Sequence, residues 1–150
     1  MKKEDGVIIE VKDEDILKSL SKNPQKFWKG VSCIGDNAFA NCYELKRIVI
    51  PKTIKKIGDF AFAQCQDLKE VIIEEGVEEI GEYAFFHCQS LQRAEIPASV
   101  KAVKEGTFGG CHALRSVLVP SGVEIAETAF ADCEKNLKIG YFDVDDKENE

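Results

Sequence analysis

Phe39, Phe62, Phe85 and Phe108 recur every 23 residues, Phe130 follows one residue early, and a cysteine stands three positions after each: Cys42, Cys65, Cys88, Cys111 and Cys133. A fixed period of this length belongs to stacked units, none of which can bury its apolar face alone. An array of that kind encloses no active-site cavity. The period therefore constrains function as well as fold: it points to a recognition scaffold and leaves the recognised molecule open.

Aligned on phenylalanine, the other columns appear. Val31, Ile54, Val77, Val100 and Val123 form one; Ile34, Ile57, Ile80, Val103 and Ile125 form the next, with the last pair one residue closer. Leu45, Leu68, Leu91, Leu114 and Leu137 follow the cysteines, and Ile50, Ile73, Ile96 and Val119 close each unit, three of them before Pro51, Pro97 and Pro120. From phenylalanine through cysteine to leucine the apolar residues fall three apart, which predicts a short helical turn. From Ile48 to Ile50 they fall two apart, which predicts a strand, and a proline without an N–H suits the strand's end. The expected fold is an α/β repeat solenoid of about six 23-residue coils, each with short strands and a helical turn, capped at both ends.

The period runs backwards into residues 5–30, where Ile8, Val11, Asp13 and Ile16 precede Val31, Ile34, Asp36 and Phe39 by 23 positions. Phe27 takes the place of Ile50, but Lys22 replaces the leucine, so this coil is degenerate. Residues 1–30 therefore read as an amino-terminal cap, with a helix from Asp13 to about Ser21 and Trp28 covering the open end. Residues 31–142 read as the repeats, with Ile139, Tyr141 and Phe142 closing the other end. The stretch 143–150 reads as a disordered acidic tail.

Composition excludes several classes. The net charge is −7, but the last eight residues hold five acids and one lysine, so the body is almost neutral. Nucleic-acid binding has no electrostatic footprint, and no apolar run approaches the ~20 residues of a membrane helix. With no apolar segment after Met1-Lys-Lys-Glu-Asp-Gly, the chain as written reads as cytoplasmic; a cell-surface or secreted site is the alternative if an export segment has been lost. The cysteines share the repeat's spacing, which favours buried free thiols over a disulfide framework. His87-Cys88 and Cys111-His112 do not read as thiol nucleophiles, because ladder positions are buried, and collinear sulfurs cannot surround zinc. No enzyme, cofactor or metal is expected.

The acidic column Asp36, Asp59, Glu82, Glu105 and Glu127 reads as a set of turn-starting acids that complement their own turn's free N–H groups. Charges one period apart alternate in sign: Arg47 with Glu70, Lys52 with Glu75, Lys55 with Glu78, Lys56 with Glu79. Such pairs suit the fixing of stacking register.

The linked columns resemble those of BspA-like leucine-rich repeats, best seen in Ile57-Gly58-Asp59-Phe60-Ala61-Phe62-Ala63-Gln64-Cys65-Gln66-Asp67-Leu68 and Ile80-Gly81-Glu82-Tyr83-Ala84-Phe85-Phe86-His87-Cys88-Gln89-Ser90-Leu91. The resemblance spans about residues 31–142. It implies a leucine-rich-repeat solenoid with no catalytic residues, in a family typical of bacterial or protist surface proteins that adhere to other proteins.

The strand face is the expected partner-binding surface. Val49, Ile72, Glu95 and Leu118 form its outward row, with Arg47, Glu70, Arg93 and Ser116 beside them; apolar residues flanked by arginine suit a protein partner. A second candidate is the turn edge, with Tyr43, Phe60, Tyr83, Phe86, His87 and His112. The chain reads as a monomeric protein–protein interaction module, without nucleic-acid binding or membrane insertion. A surface adhesin domain and a self-assembling structural protein are the alternatives.

Overall fold

The backbone of each coil is satisfied largely by the coil beside it. The computed structural model describes residues 1–144, with the side chains of Ile16 and Leu17 left aside; of the tail expected to be disordered, 145–150 lie outside the described residues. Along one side run the strands β2 (Val7–Glu10), β3 (Cys33–Ile34), β5 (Lys56–Ile57) and β7 (Glu79–Ile80), joined in parallel. β9 (Ala102–Val103) and β11 (Glu124–Ile125) pair separately on the same side of their coils. Along the other side lies a five-stranded parallel sheet of β4 (Arg47–Ile50), β6 (Glu70–Ile73), β8 (Arg93–Glu95), β10 (Ser116–Pro120) and β12 (Lys138–Phe142), in that spatial order. The array is thus a repeat solenoid of about six turns.

The columns become internal ladders. Phe39 stacks on Phe62 at 4.7 Å between ring centroids, Phe62 on Phe85 at 5.2 Å, Phe85 on Phe108 at 5.5 Å and Phe108 on Phe130 at 5.6 Å. Ile48 and Ile50 point into the core while Arg47 and Val49 point outward, as the pleat demands. All six cysteines are free. Four of the five ladder thiols donate to the phenylalanine carbonyl one coil back, Cys65 to Phe39, Cys88 to Phe62, Cys111 to Phe85 and Cys133 to Phe108, at 3.0–3.2 Å. Cys42, in the first repeat, donates to Val11 at 3.4 Å.

The predicted helical turn is not a helix. In the phenylalanine segment the N–H groups alternate: Ala38, Ala40 and Cys42 bond three residues back within their own coil, while Asn37, Phe39 and Asn41 bond the carbonyls of Asp59, Ala61 and Ala63 in the next. A helix would use every N–H internally; here half of them serve the stack. The geometry needs a left-handed residue on each side of the phenylalanine. Asn37 and Asn41, Phe60 and Gln64, Tyr83 and His87, and Gly106 and Gly110 all have φ near +60° or +70°. The three-residue apolar spacing was real, but it reported a run of tight turns.

The acidic column also differs from expectation in its partner. Asp36 Oδ1 accepts from the N–H of Asp59 at 2.8 Å, and Asp59 Oδ1 from that of Glu82 at 2.9 Å, one coil on. This contact explains the glycines before Asp59 and Glu82. A Cβ at Gly58 would lie 2.5 Å from Asp36 Oδ1, and one at Gly81 2.5 Å from Asp59 Oδ1. Where the longer Glu82 stands in the column, the next coil tolerates Lys104 at the glycine position.

Both ends depart from the simple cap. The amino end adds an antiparallel hairpin, β1 (Lys2–Glu4) on β2, whose Asp5-Gly6 turn has positive φ at both residues; that dipeptide is a hairpin signal visible in the sequence. The helix expected from Asp13 to about Ser21 is a short α1 (Asp13–Asp15) followed by a π-helical turn, Ile16–Leu20. Next comes α2 (Pro24–Trp28), with Asn23 accepting from Lys26 N at 3.0 Å as N-cap and Pro24 at the first turn. Phe27 therefore sits on a helix, where the period placed a strand. It packs with Trp28 against Phe39, the first ring of the phenylalanine stack, both rings 6.2 Å away. At the carboxyl end Ile139, Tyr141 and Phe142 form β12, the last strand of the sheet, and do not close the array. Tyr141 is 61% exposed, and Val123, Ile125, Phe130, Cys133 and Leu137 are only partly buried although their columns are sealed further in.

Candidate interaction surface

Parallel pairing carries each outward residue onto its equivalent one coil on. Arg47 registers with Glu70, Glu70 with Arg93, Arg93 with Ser116 and Ser116 with Lys138. In the second row Val49 registers with Ile72, Glu95 with Leu118 and Leu118 with Gly140. Six of the eight residues expected to bind a partner, Glu70, Ile72, Arg93, Glu95, Ser116 and Leu118, line one groove of about 860 Å³ across β6, β8, β10 and β12. Ile72 and Leu118 are 37% and 36% exposed there, beside the buried Val71, Ala94 and Val117.

The other two residues lie outside that groove. Arg47 is engaged by Glu70 at 2.9 Å. Val49, half-buried, lines a separate cleft of about 580 Å³ with Trp28, Pro51 and Thr53, where α2 replaces a strand beside β4. Sequence reasoning also missed the far end of the main groove, Lys138 and Gly140. Their signal was present: both lie 22 residues after Ser116 and Leu118, the spacing of the shortened last repeat.

Two of the four charge pairs read from the period close to ion-pair distance, Arg47–Glu70 and Lys56–Glu79, the latter at 3.9 Å. Glu79 also takes Lys104 Nζ at 2.5 Å, and this hydrogen bond is the main reason its carboxyl titrates below the usual range. Lys52–Glu75 and Lys55–Glu78 form no ion pair; Glu75 Oε1 instead accepts from Ala98 N at 3.2 Å. Exposed pairs of this sort add little stability, about 0.2–1 kcal/mol each.

The turn edge carries the second set of candidates. Phe60 stacks on Tyr83 at 4.9 Å, Phe86 meets Tyr83 edge-on at 5.4 Å and His87 at 4.1 Å, and His87 lies 6.2 Å from His112. Tyr83, Phe86 and His87 are half-buried among these rings; His112, Phe60 (38%) and Tyr43 (47%) are exposed. Chemistry at the histidine–cysteine pairs has no support. Burial pushes the Cys88 and Cys111 thiols well above their ordinary range, and a neutral buried thiol is a poor nucleophile. Among the described residues no group of three or more His, Cys, Asp or Glu is arranged to hold a metal ion. None of their helices is long and apolar enough to cross a membrane.

The family described as BspA type leucine rich repeat region matches residues 29–144 in six copies. A leucine-rich cell surface protein of Faecalibacterium prausnitzii is 35% identical with a TM-score of 0.63, over 75% of this chain and 33% of that one. A leucine-rich repeat protein of Bacteroides capillosus is 34% identical with a TM-score of 0.54, over 59% and 63%. The leucine-rich repeat protein of T. pallidum is 25% identical with a TM-score of 0.51, over 75% and 64%. The chain thus spans less than two thirds of each of these proteins. No curated protein matches it.

Proposed function

Because this chain belongs to the BspA type leucine-rich repeat family, we propose that it is a non-enzymatic, monomeric module that binds another protein through the outward face of its parallel sheet. One observation carries the reading: six outward residues that are far apart in sequence line a single groove with an apolar floor. A hydrogen-bonded sheet backed by a continuous core is already ordered, so little conformational entropy opposes docking. Buried apolar contact at Ile72 and Leu118 supplies the affinity, and the flanking charges set specificity.

The test is affinity capture from the source organism's lysate and culture medium with three folded proteins: wild type, Ile72→Lys/Leu118→Glu, and a turn-edge variant, Tyr43→Ser/His112→Ala. The expected result is a partner held by wild type and the turn-edge variant and lost with the groove variant. Retention by the groove variant with loss at the turn edge would overturn the choice of face.

A cell-surface adhesin role is the second reading, favoured by the likeness to the F. prausnitzii surface protein. Under it the partner comes from the medium or from host-cell material. A self-assembling role is favoured by the partly exposed last coil; sedimentation at high micromolar concentration tests it, and a single monomer boundary removes it.

A further inference from the structure

The groove's charge is uneven along its length: acids outnumber bases at one end and bases outnumber acids at the other. Its first half, at and just after β6, carries Glu70, Glu74 and Glu75, with Lys52 beside them. Its far half carries Arg93 on β8 and Lys138 on β12, with Ser116 of β10 between them, and a single acid, Glu95 of β8, beside Leu118. Glu70 already holds Arg47 and Glu75 holds a backbone N–H, whereas Arg93 and Lys138 enter no ion pair among the described residues. Two strand spacings separate their backbones, roughly 10 Å, so the two long side chains can converge above the small serine. Guanidinium, ammonium and hydroxyl then offer donors to one point, and Leu118 and Ile72 flank it as exposed apolar surface.

We propose that Arg93, Ser116 and Lys138 form a carboxylate-binding slot, and that the groove's occupant is a protein segment presenting one Asp or Glu side chain next to an apolar one. A single carboxylate fits two cations better than a polyanion does, because Glu95 and the acids at the β6 end repel any ligand whose negative charge continues along the groove. The apolar neighbour covers Leu118 and Ile72. This inference rests on the groove reading above and names the chemistry of its partner.

The experiment selects random linear peptides displayed on phage against the immobilised chain, then measures free peptide binding by fluorescence anisotropy at low and raised salt. Enriched sequences are expected to share an acidic residue beside an apolar one. Arg93→Glu/Lys138→Glu is expected to weaken them roughly 10- to 100-fold, as for loss of charge-assisted hydrogen bonds, and to enrich basic peptides in a fresh selection. Arg93→Gln/Lys138→Gln supplies a milder variant, and circular dichroism checks that each is folded. Peptides that are lost with Ile72→Lys/Leu118→Glu but indifferent to both charge variants and to salt would leave the groove standing and overturn the slot. Peptides indifferent to every groove variant would overturn both readings. Failure of wild type to enrich any sequence would count against the slot as a site for linear segments.

Discussion

Truncation of Phe85 to alanine tests the internal ladder most directly. Phe85 is fully buried and its ring is stacked on both sides, on Phe62 at 5.2 Å and on Phe108 at 5.5 Å. The array is close-packed, with each coil fixed by its neighbours' backbone bonds, so the walls cannot collapse into the void. The expected loss is ~3–5 kcal/mol. For a chain of this length each kcal/mol lowers the thermal midpoint by ~2–4 °C, which predicts a fall of roughly 6–20 °C. Phe130→Ala is the internal control. Phe130 ends the column, is only partly buried and has one stacking partner, Phe108, at 5.6 Å; its truncation should cost less than half as much. Differential scanning calorimetry on both variants gives the comparison. Equal losses, or a Phe85→Ala midpoint within about two degrees of wild type, would refute the ladder as the source of stability.

Alkaline destabilisation follows from the thiols. Burial raises Cys42 from 9.0 to about 12, and Cys65, Cys88 and Cys111 are also raised. A folded pKa above the unfolded one means that the native state keeps its protons longer. Stability is therefore unaffected below about pH 9 and falls as pH rises beyond it, by about 1.4 kcal/mol per pH unit for each thiol. Urea midpoints from pH 8 to 10.5 should decline steeply, and less so in Cys65→Ala/Cys88→Ala/Cys111→Ala; parallel curves would contradict this. Gly81→Ala should cost ~1–3 kcal/mol, since its Cβ would meet both Oδ1 and N of Asp59 at 2.5 Å, and chemical denaturation showing under 0.5 kcal/mol would remove that explanation of the glycine column. Hydrogen exchange should be slowest around Phe62 and Phe85 and fastest in the last coil, where the column ends are partly exposed; uniform protection along the array would contradict the open end.

The uneven charge along the groove also explains why net charge was uninformative. Much of the body's charge is arranged as alternation between coils, as in Arg47, Glu70 and Arg93, which registers one above another. A sum over the chain cancels this pattern, while a partner meeting one face reads it locally.

What the sequence determined by itself was everything that depends on periodicity. Phe39 through Phe108, the isoleucine and leucine columns and the outward row from Val49 to Leu118 repeat at one spacing, shortened by one only in the last coil, and equal spacing in a stacked array forces equal environment. Hence the solenoid, its core and six residues of the groove lining were legible. Tertiary structure decided what lies between coils, because a hydrogen bond from Phe39 to Ala61, or from Asp59 to Asp36, joins residues with no local signature. It turned the apparent helix into turns, since half of that segment's N–H groups were claimed by the next coil. It placed Phe27 on a helix, because a terminal coil has one stacking face and must hide the other. It brought Lys138 beside Arg93 across Ser116, an adjacency set by the register of the last, shortened repeat.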